Sequence, residues 1–346
     1  MNNHTFRVGP LVNLASLVDS LGFDPEPIFI ESGLDQKDFR DPDHRMPYLS
    51  SSRLLANCVE ATGCDHIGLL LGIRAEPSHL GVVGFLVRAA PTVEVALQAL
   101  VENLDLHEDS ASVRLNIGPE YSSLNYNVHE PGILAIEQIG DLSAVMMYKI
   151  LATLCCKDWA ASTVKLIRRE PEDWGPYRRF FRSALFFNST ECTITFNNHC
   201  LGQKPPTADQ LLYKYLRKEA RQLHDLHHNE LMEELPAAMM QGLLTEKFSA
   251  RHIADTFGMR ERTLHRRLRV AGTSFRQELD AARKLVSEQL LGGTSLPVCD
   301  VASALGYADA SGFIRAFQRW AGTSPSTWRK KNGLHSQNGA RSGMSG

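Results

Sequence analysis

The sequence contains no apolar run long enough to cross a bilayer. A membrane-spanning helix needs about 20 consecutive apolar residues, whereas polar or charged residues interrupt every apolar stretch of this chain. The first residues, Met1–Arg7, also lack the pattern of a secretory signal peptide. We therefore expect a cytoplasmic protein without a membrane segment.

Cysteine is scarce and irregularly spaced. The 346 residues include 7 cysteines, an odd number, and their spacings do not repeat as they do in zinc sites. Reduced and buried thiols are expected rather than a disulfide framework. His224, His227 and His228 lie beside Asp225, but no distant cysteine or carboxylate cluster completes a metal site. A polar linker is therefore the favoured interpretation of this segment.

Enzyme motifs are missing from residues 1–205. This region has no nucleophile elbow, phosphate-binding loop, metal-ligand pair or dinucleotide fingerprint. The segment Gly81–Gly84 is too short to cradle a phosphate, and Cys155-Cys156 lies within an apolar helical pattern. The sequence predicts a protein that is not an enzyme and that uses no cofactor and no metal.

Neither sign of charge is in large excess, but the charges are unevenly distributed. The net charge is −2 at pH 7. Thr245–Lys331 carries 15 basic and 8 acidic residues, a balance of +7, whereas residues 1–244 carry 21 and 31, a balance of −10. An acidic body with a basic end indicates that only the end binds nucleic acid.

Two segments of the basic end repeat one pattern. Ala250–Leu268 and Val298–Trp320 each have a short helix, a glycine turn and a second helix, and the two turn glycines, Gly258 and Gly306, are 48 residues apart. This is an internal repeat of a helix-turn-helix. Each glycine is expected to end a helix with a positive φ.

The second helix of the first repeat is rich in positive charge. Its apolar residues Leu264 and Leu268 are expected to face a small helical core. The side chains left outside are Arg260, Arg262, His265, Arg266, Arg267 and Arg269. Most basic helices are simply solvated surfaces, but the second helix of a helix-turn-helix is the one that enters the major groove. Its position therefore favours a role in DNA binding.

The basic end resembles the DNA-binding domain of the AraC/XylS family of bacterial transcription regulators. The resemblance covers about residues 230–331, and its motifs are Gly258–Leu268, Gly272–Phe275, Arg283, Gly306-Tyr307, Phe313–Phe317, Trp320 and Gly322–Pro325. It implies two recognition helices that enter successive major grooves of double-stranded promoter DNA, about 34 Å apart, joined by the long helix Phe275–Leu291. It also implies contact with RNA polymerase.

The resemblance implies that outward side chains of both recognition helices contact DNA. Most base readout is expected from the first repeat, because a bidentate arginine–guanine contact gives about 1–3 kcal/mol of discrimination. The second repeat should mainly contact phosphates, helped by Arg319 and Arg329. For Arg283, a phosphate contact and an ion pair with Asp280 or Glu288 both remain open. The predicted DNA-binding residues are Arg260, Arg262, Thr263, His265, Arg266, Ser311, Arg315 and Arg319.

Residues 1–205 are predicted to form an α+β domain. Alternation in Ser112–Ile117 and Leu124–Val128 predicts a β-hairpin. Short strands are expected at residues 164–167, 184–187 and 192–196. Helical periodicity covers residues 10–21, 25–32, 51–62 with Ser50 or Ser51 as N-cap, 66–74, 93–100, 133–155 and 174–181.

This first region resembles the "arabinose-binding-type" effector domain found in one branch of the same regulators. The resemblance spans about residues 10–205 and rests on Gly68-Leu69, Leu80–Phe85 and Ala90–Thr92, with Ala96-Leu97 following. It implies small-molecule sensing, dimerisation, or both, and the residues themselves do not indicate arabinose. An apolar pocket lined from Val82–Val87, Ile133–Ile139 and the hairpin is one hypothesis, and a plain hydrophobic core would give the same pattern.

Four segments are predicted along the chain. They are an α+β effector and dimerisation domain at residues 1–205, a helical linker at 206–229, an all-α domain with two helix-turn-helix units joined by a long helix at 230–331, and a disordered tail at 332–346. The amphipathic helix Ala208–Asp225 either packs within its own domain or forms a subunit interface. Leu231–Leu244 is expected to be the first helix of the DNA-binding domain.

The predicted function is that of a sequence-specific transcription regulator that forms a homodimer through its first domain; activation is the favoured outcome, and repression is left open by the sequence. Its expected partners are promoter DNA, RNA polymerase and a small-molecule effector. One alternative is a DNA-binding protein with an enzymatic first domain. The other is a DNA-binding protein without sequence preference, for which basic charge should extend along the whole chain.

Overall fold

The structure is a computed structural model that describes residues 5–130, 132–155, 159–245, 247–257, 259 and 261–332, except for the side chains of residues 227–230. The chain forms two compact units, of which one ends at Asp225 and the other begins at Leu226. Within these described ranges, no helix is both long enough and apolar enough to cross a membrane.

The first unit is built mainly of helices. These are α1 (Leu14–Ser20), α2 (Pro25–Glu31), α3 (Tyr48–Thr62), α4 (Ile67–Arg74), α5 (Val82–Ala89), α6 (Val93–Asn103), α7 (Ile136–Leu154) and α8 (Gly175–Phe181). The predicted N-cap of α3 is wrong, since the helix begins at Tyr48 after Pro47. Ser51 lies inside the helix, where its buried hydroxyl donates to the Tyr48 carbonyl at 2.7 Å.

The described residues of the first unit include seven strands in two sheets. β1 (Thr5–Arg7) and β2 (Arg45–Pro47) pair antiparallel. The larger sheet has the order β3-β4-β7-β5-β6, in which only β5 and β6 are parallel. Its strands are β3 (Ala111–Ile117), β4 (Tyr121–Val128), β5 (Thr163–Lys165), β6 (Ala184–Phe186) and β7 (Cys192–Asn197). The predicted hairpin is confirmed, because Leu115 of β3 pairs with Leu124 of β4.

Helix α7 joins the two hydrophobic cores of the first unit. Leu151 belongs to a core shared with Leu124 of β4 and Ile194 of β7. Ile139, nearer the start of α7, belongs to a second core with Leu54 of α3 and residues of α1 and α2. Helices packed on a largely antiparallel sheet confirm the predicted α+β class.

A buried ionic cluster ties α7 to α8. The Asp141 carboxylate accepts hydrogen bonds from Arg168 Nη1 and from the Tyr177 hydroxyl, both at 2.7 Å. Arg168 also donates to the Asp65 carbonyl at 3.2 Å. Burial raises the pKa of Asp141 to about 6, while the Arg168 guanidinium acts in the opposite direction. The cluster therefore fastens three segments that are distant in sequence.

A single helix, α9 (Gln210–Leu244), covers the sequence on both sides of the division between the units. It starts where the Asp209 carboxylate accepts from the backbone N–H groups of Leu211 and Leu212, both at 3.0 Å. The predicted separation of two helices by a polar linker is wrong. Residues 224–230 are polar apart from Leu226 and contain no glycine or proline, so the helix continues through them.

The second unit is helical throughout its described part. Its helices after α9 are α10 (Ala250–Thr256), α11 (Glu261–Val270), α12 (Phe275–Gly293), α13 (Val298–Ala304), α14 (Ala310–Ala321) and α15 (Pro325–Asn332). One hydrophobic core includes Met239 of α9, Leu264 of α11, Val286 of α12 and Phe317 of α14. The prediction of an all-α domain with two helix-turn-helix units joined by a long helix is confirmed.

Candidate nucleic-acid interface

The first helix-turn-helix consists of α10 and α11. Ser249 caps α10, because its hydroxyl accepts from the His252 N–H at 3.1 Å. Ala254 is completely buried, as expected for the small residue where the second helix crosses the first. Leu264 and Leu268 of α11 are also completely buried. These contacts fix which face of α11 points to solvent.

The solvent face of α11 is basic. Arg262, His265, Arg266 and Arg269 are exposed, and together with Glu261 they line one shallow depression. Because the buried leucines alternate with them at helical spacing, the cationic side chains lie on the face opposite the core. The sequence prediction that these side chains lie outside the core is confirmed for all four.

His265 is oriented by two neighbours. Its Nε2 lies 3.6 Å from Oε1 of Glu261, one turn earlier on α11. Its ring centroid lies 6.2 Å from that of Phe275 in an edge-on arrangement. Thr263 is only half-buried. Arg260, another predicted contact, and the turn residue Gly258 lie outside the described residues.

The second helix-turn-helix consists of α13 and α14. Asp309 caps α14, since its carboxylate accepts from the Gly312 N–H at 2.7 Å. Phe313 and Phe317 are completely buried. Gly306, in the turn before α14, has a φ of +74°, as the sequence predicted. The helix is thereby anchored in the same way as α11.

The exposed face of α14 carries fewer polar groups than that of α11. Ser311, Ile314 and Arg315 are exposed near its start. Arg319 is also exposed, and its guanidinium donates to Oδ2 of Asp280 at 2.9 Å. The predicted DNA-contact residues of the second repeat are thus all at the surface.

Arg329, which the sequence suggested as a phosphate contact, is bonded to the protein itself. Its Nε donates to the Leu291 carbonyl at 3.2 Å, and Nη2 donates to the Leu296 carbonyl at 2.6 Å. These bonds hold α15 against the segment that follows α12. These bonds give Arg329 a structural role that the sequence did not predict, because the carbonyl acceptors appear only when the helices pack, and its phosphate contact stays a prediction.

Arg283 of α12 joins the two helix-turn-helix units. Its Nε donates to the carbonyl of Leu305 at 3.0 Å, next to the turn of the second helix-turn-helix. Its guanidinium lies 4.7 Å from the ring centroid of Tyr307 and 5.4 Å from that of Phe248, which precedes the first helix-turn-helix. The sequence left open a phosphate contact and an ion pair for Arg283, and the structure adds this junction as a third role, while the phosphate contact stays a prediction. Sequence reasoning missed it because Phe248 and Tyr307 are distant from Arg283 along the chain.

Two helix-turn-helix units in one core, each with an exposed second helix, define a DNA-binding protein of the tandem type. Residues 22–205 match the family described as "Arabinose-binding domain of AraC transcription regulator, N-term", and residues 253–331 match "Helix-turn-helix domain". The chain therefore belongs to the AraC family of transcription regulators, as the sequence motifs suggested.

Characterised relatives span almost the whole chain. The regulator VirS of Mycobacterium tuberculosis is 25% identical over 95% of this chain and 97% of its own length. The ornithine utilization regulator of Pseudomonas aeruginosa is 24% identical over 95% of this chain and 98% of its own. The crystal structure of CdpR from Pseudomonas aeruginosa covers 88% of this chain and 96% of its own, with 22% identity and a TM-score of 0.43. Family and relatives alike are transcription regulators.

Proposed function

We propose that this regulator reads its operator mainly through α11, while α14 positions the second helix-turn-helix one helical turn along the same DNA face. The observation that carries the proposal is the basic face of α11, held outward by buried Leu264 and Leu268. Recognition helices enter successive major grooves about 34 Å apart in tandem arrangements of this kind. The regulator acts in the cytoplasm, where promoter DNA is accessible.

Arg262, His265 and Arg266 are the proposed base readers of α11, with Thr263 beside them, and Arg260 is included from the sequence motif. Guanine offers O6 and N7 as acceptors, which a guanidinium contacts with two hydrogen bonds. His265, held by Glu261, supplies a single hydrogen bond. Exposed Arg269, nearer the end of α11, suits a phosphate contact, which adds affinity without sequence information.

The second recognition helix is proposed to contribute less base information. Ser311 and Arg315 are its polar exposed residues near the groove-facing end. Exposed Ile314 between them suits contact with a thymine methyl group, which is the apolar mark of the major groove. Arg319 is proposed to approach phosphate while it shares its guanidinium with Asp280.

Replacement of Arg266 by alanine tests the base-reading proposal. A preferred site is first selected from random DNA with the full chain, and affinities for that site and for scrambled DNA are then compared. Loss of a bidentate guanine contact of about 1–3 kcal/mol should lower the ratio of the two affinities by roughly tenfold or more. Weak binding to scrambled DNA should remain.

The matched control is Arg251→Ala, which removes the same charge from an exposed position of α10. It should weaken binding to both DNAs by a similar factor, because only nonspecific attraction is changed. If Arg266→Ala behaves like this control, then Arg266 contacts phosphate and the base-reading role is wrong. Equal affinity of the unaltered chain for all DNA would support the alternative of a DNA-binding protein without sequence preference.

The first unit is proposed to sense a small-molecule effector and to form a homodimer. Leu216 and Leu223 of α9 pack against its core, which accounts for part of the apolar stripe on that helix. The rest of the stripe faces solvent, with Leu211 82% and Tyr215 64% exposed. A second copy of the chain is the proposed occupant of this surface. Activation through RNA polymerase belongs to the same proposal, and transcription from the selected site with purified polymerase tests it.

A further inference from the structure

A cavity of about 70 Å³ lies inside the first unit. Its walls come from both hydrophobic cores and from α3, α6, α7 and the β3–β4 hairpin. Of the pocket lining hypothesised from the sequence, the β3–β4 hairpin and Ile139 do line the cavity. Val82–Val87 do not, and the nearby Leu80 lines it instead. A water needs about 10–15 Å³ and a benzene-binding cavity has about 150 Å³, so this one suits a ligand with fewer non-hydrogen atoms than benzene.

Most of the cavity wall is apolar. The side chains are mainly aliphatic or thioether groups, among them Leu55, Leu100, Met146, Met147 and Ile150. Methionine adapts its shape readily, so the wall can fit small changes in a ligand. The lining contains no lysine or arginine. The body of a matching ligand must therefore be apolar.

A chain of hydroxyl groups forms one polar part of the wall. The Tyr126 hydroxyl donates to Oε2 of Glu108 at 3.1 Å, and the Tyr48 hydroxyl lies 3.4 Å from that of Tyr126. Because the Tyr126 hydroxyl uses its one proton in the hydrogen bond to Glu108, the Tyr48 hydroxyl is the donor in its contact with Tyr126. Burial raises the pKa of both tyrosines, so both are neutral. The Tyr48 oxygen keeps lone-pair capacity for a further donor.

His107 provides the second polar part of the wall. Its side chain is buried, with a residue exposure of 5%, and it lines the cavity. Its Nδ1 has no hydrogen-bond partner among the residues that the structure describes. A buried nitrogen without a partner costs about 1–3 kcal/mol. A ligand that bonds this nitrogen removes that cost, so the cavity is built to take a polar group here.

We propose that this cavity is the effector site and that it takes a small, uncharged, mostly apolar molecule with one hydroxyl group. A hydroxyl both donates and accepts, so it matches either tautomer of His107 and can also donate to the Tyr48 oxygen. Either ion would lose its hydration in this mostly apolar wall. Glu108 opposes a carboxylate and the charges of Arg7 and Arg45, which act on His107, oppose an ammonium group, so the surroundings favour neither sign of charge. This inference rests on the proposed sensing role of the first unit and names its ligand class.

Four probes of similar size test the ligand class on the full-length chain. They are 1-butanol, 1-chlorobutane, butyrate and butylammonium, and the readout is the ¹³C-methyl NMR signals of Met146 and Met147, which line the cavity. We expect saturable shifts with 1-butanol at a Kd at least tenfold below that of 1-chlorobutane. The two ions should cause no saturable shift of these signals. Tightest binding of an ion, equal binding of 1-butanol and 1-chlorobutane, or no saturable shift with any probe overturns the proposal.

A variant isolates the role of His107. His107→Phe keeps an aromatic ring but removes both nitrogens, so the Kd for 1-butanol should rise to that for 1-chlorobutane. His199→Phe, at an exposed position outside the cavity, should leave the tenfold preference unchanged. The preference persisting in His107→Phe, with unaltered methionine signals as evidence of folding, contradicts the assignment. Site preference for DNA is measured on the same samples, so failure of alcohol binding alone leaves the DNA-reading proposal standing.

Discussion

Asp141 is the single residue at which a conservative change should be most costly. The variant Asp141→Asn keeps the size of the side chain but removes the buried counter-ion of Arg168, whose almost completely buried guanidinium then keeps only the largely exposed Asp65 carboxylate at 3.6 Å. Breaking a buried pair in this way costs about 3–5 kcal/mol. We expect the free energy of unfolding of the first unit to fall by about that amount in urea titrations followed by tryptophan fluorescence.

An exposed ion pair provides the comparison for this variant. Lys37 and Asp35 lie 3.8 Å apart with most of both side chains in solvent. Lys37→Gln should change the stability only marginally, because exposed pairs contribute about 0–1 kcal/mol. If Asp141→Asn is no more destabilising than Lys37→Gln, the buried cluster does not hold α7 to α8 as we infer.

His107 should make the first unit sensitive to acid. Burial, assisted by the charges of Arg7 and Arg45, lowers the pKa of His107 to about 3. In the unfolded chain this pKa is about 6.5, so below pH 6.5 the unfolded state binds a proton that the folded state does not. Stability is therefore fully present above pH 6.5 and decreases by about 1.4 kcal/mol per pH unit down to pH 3.

The difference between the wild-type chain and His107→Phe isolates this effect from other titrating groups. Between pH 7 and pH 5.5, the wild-type chain should lose about 1.4 kcal/mol more unfolding free energy than the variant. Urea unfolding at both pH values measures it. Parallel pH profiles for the two proteins would mean that folding leaves the pKa of His107 unchanged.

At the scale of elements, the turn at Gly306 fixes how α14 meets α13. Its φ of +74° is unfavourable for any residue with a Cβ, and a Cβ here would lie 2.3 Å from the Phe248 ring. Gly306→Ala should therefore destabilise the second unit by more than about 1 kcal/mol and weaken DNA binding. Thermal unfolding and DNA titration measure the two effects.

Gly293 at the end of α12 is the matched control for this substitution. No atom lies within 4 Å of the place where its Cβ would be, and its φ is not positive. Gly293→Ala should leave stability and DNA affinity unchanged or slightly improved. If both alanine variants behave alike, the turn tolerates a side chain and the strain argument fails.

Elements with a strong local signal could be predicted from the sequence, and those set by packing could not. The β3–β4 hairpin follows from alternating apolar residues on either side of Gly118 and Pro119. The continuity of α9 was missed, because its polar middle has the composition of a linker as well as that of an exposed helix. Propensity alone does not separate these two states.

The same limit applied to the candidate site. The exposed face of α11 could be predicted. Leu264 and Leu268 are apolar and must be buried, and the helical period then places the remaining side chains on the solvent face. The role of Arg283 could not, since its partners Phe248 and Tyr307 come together only in the folded unit. The cavity was predicted only in part for the same reason, as its wall joins residues from both cores.

At the scale of the whole molecule, the exposed apolar surface of α9 predicts self-association. Replacing Leu211 and Tyr215 together by lysine adds charge where the interface is proposed. Sedimentation equilibrium should then give the mass of one chain, 38.5 kDa, at concentrations where the unaltered chain is dimeric. The dimer dissociation constant should rise at least tenfold, since unpaired buried charge opposes association.

A lysine elsewhere on the same helix serves as the reference. Gln222→Lys adds charge at another exposed position of α9 and should leave the dimer intact. A monomeric wild-type chain would show that there is no self-association. Loss of the dimer in the reference variant as well would show that the exposed residues Leu211 and Tyr215 do not specifically form the interface.

On the proposed DNA-reading role of α11 and α14, the Arg283 junction would make the two helices behave as one bivalent ligand. Once α11 has found its half-site, α14 is held near the adjacent groove at an effective concentration that depends on the stiffness of the connection. Arg283 stiffens that connection by bonding Leu305 and stacking between Phe248 and Tyr307. The second helix can then add avidity although its own contacts are few, and this allows its half-site to vary among promoters while the first stays constant.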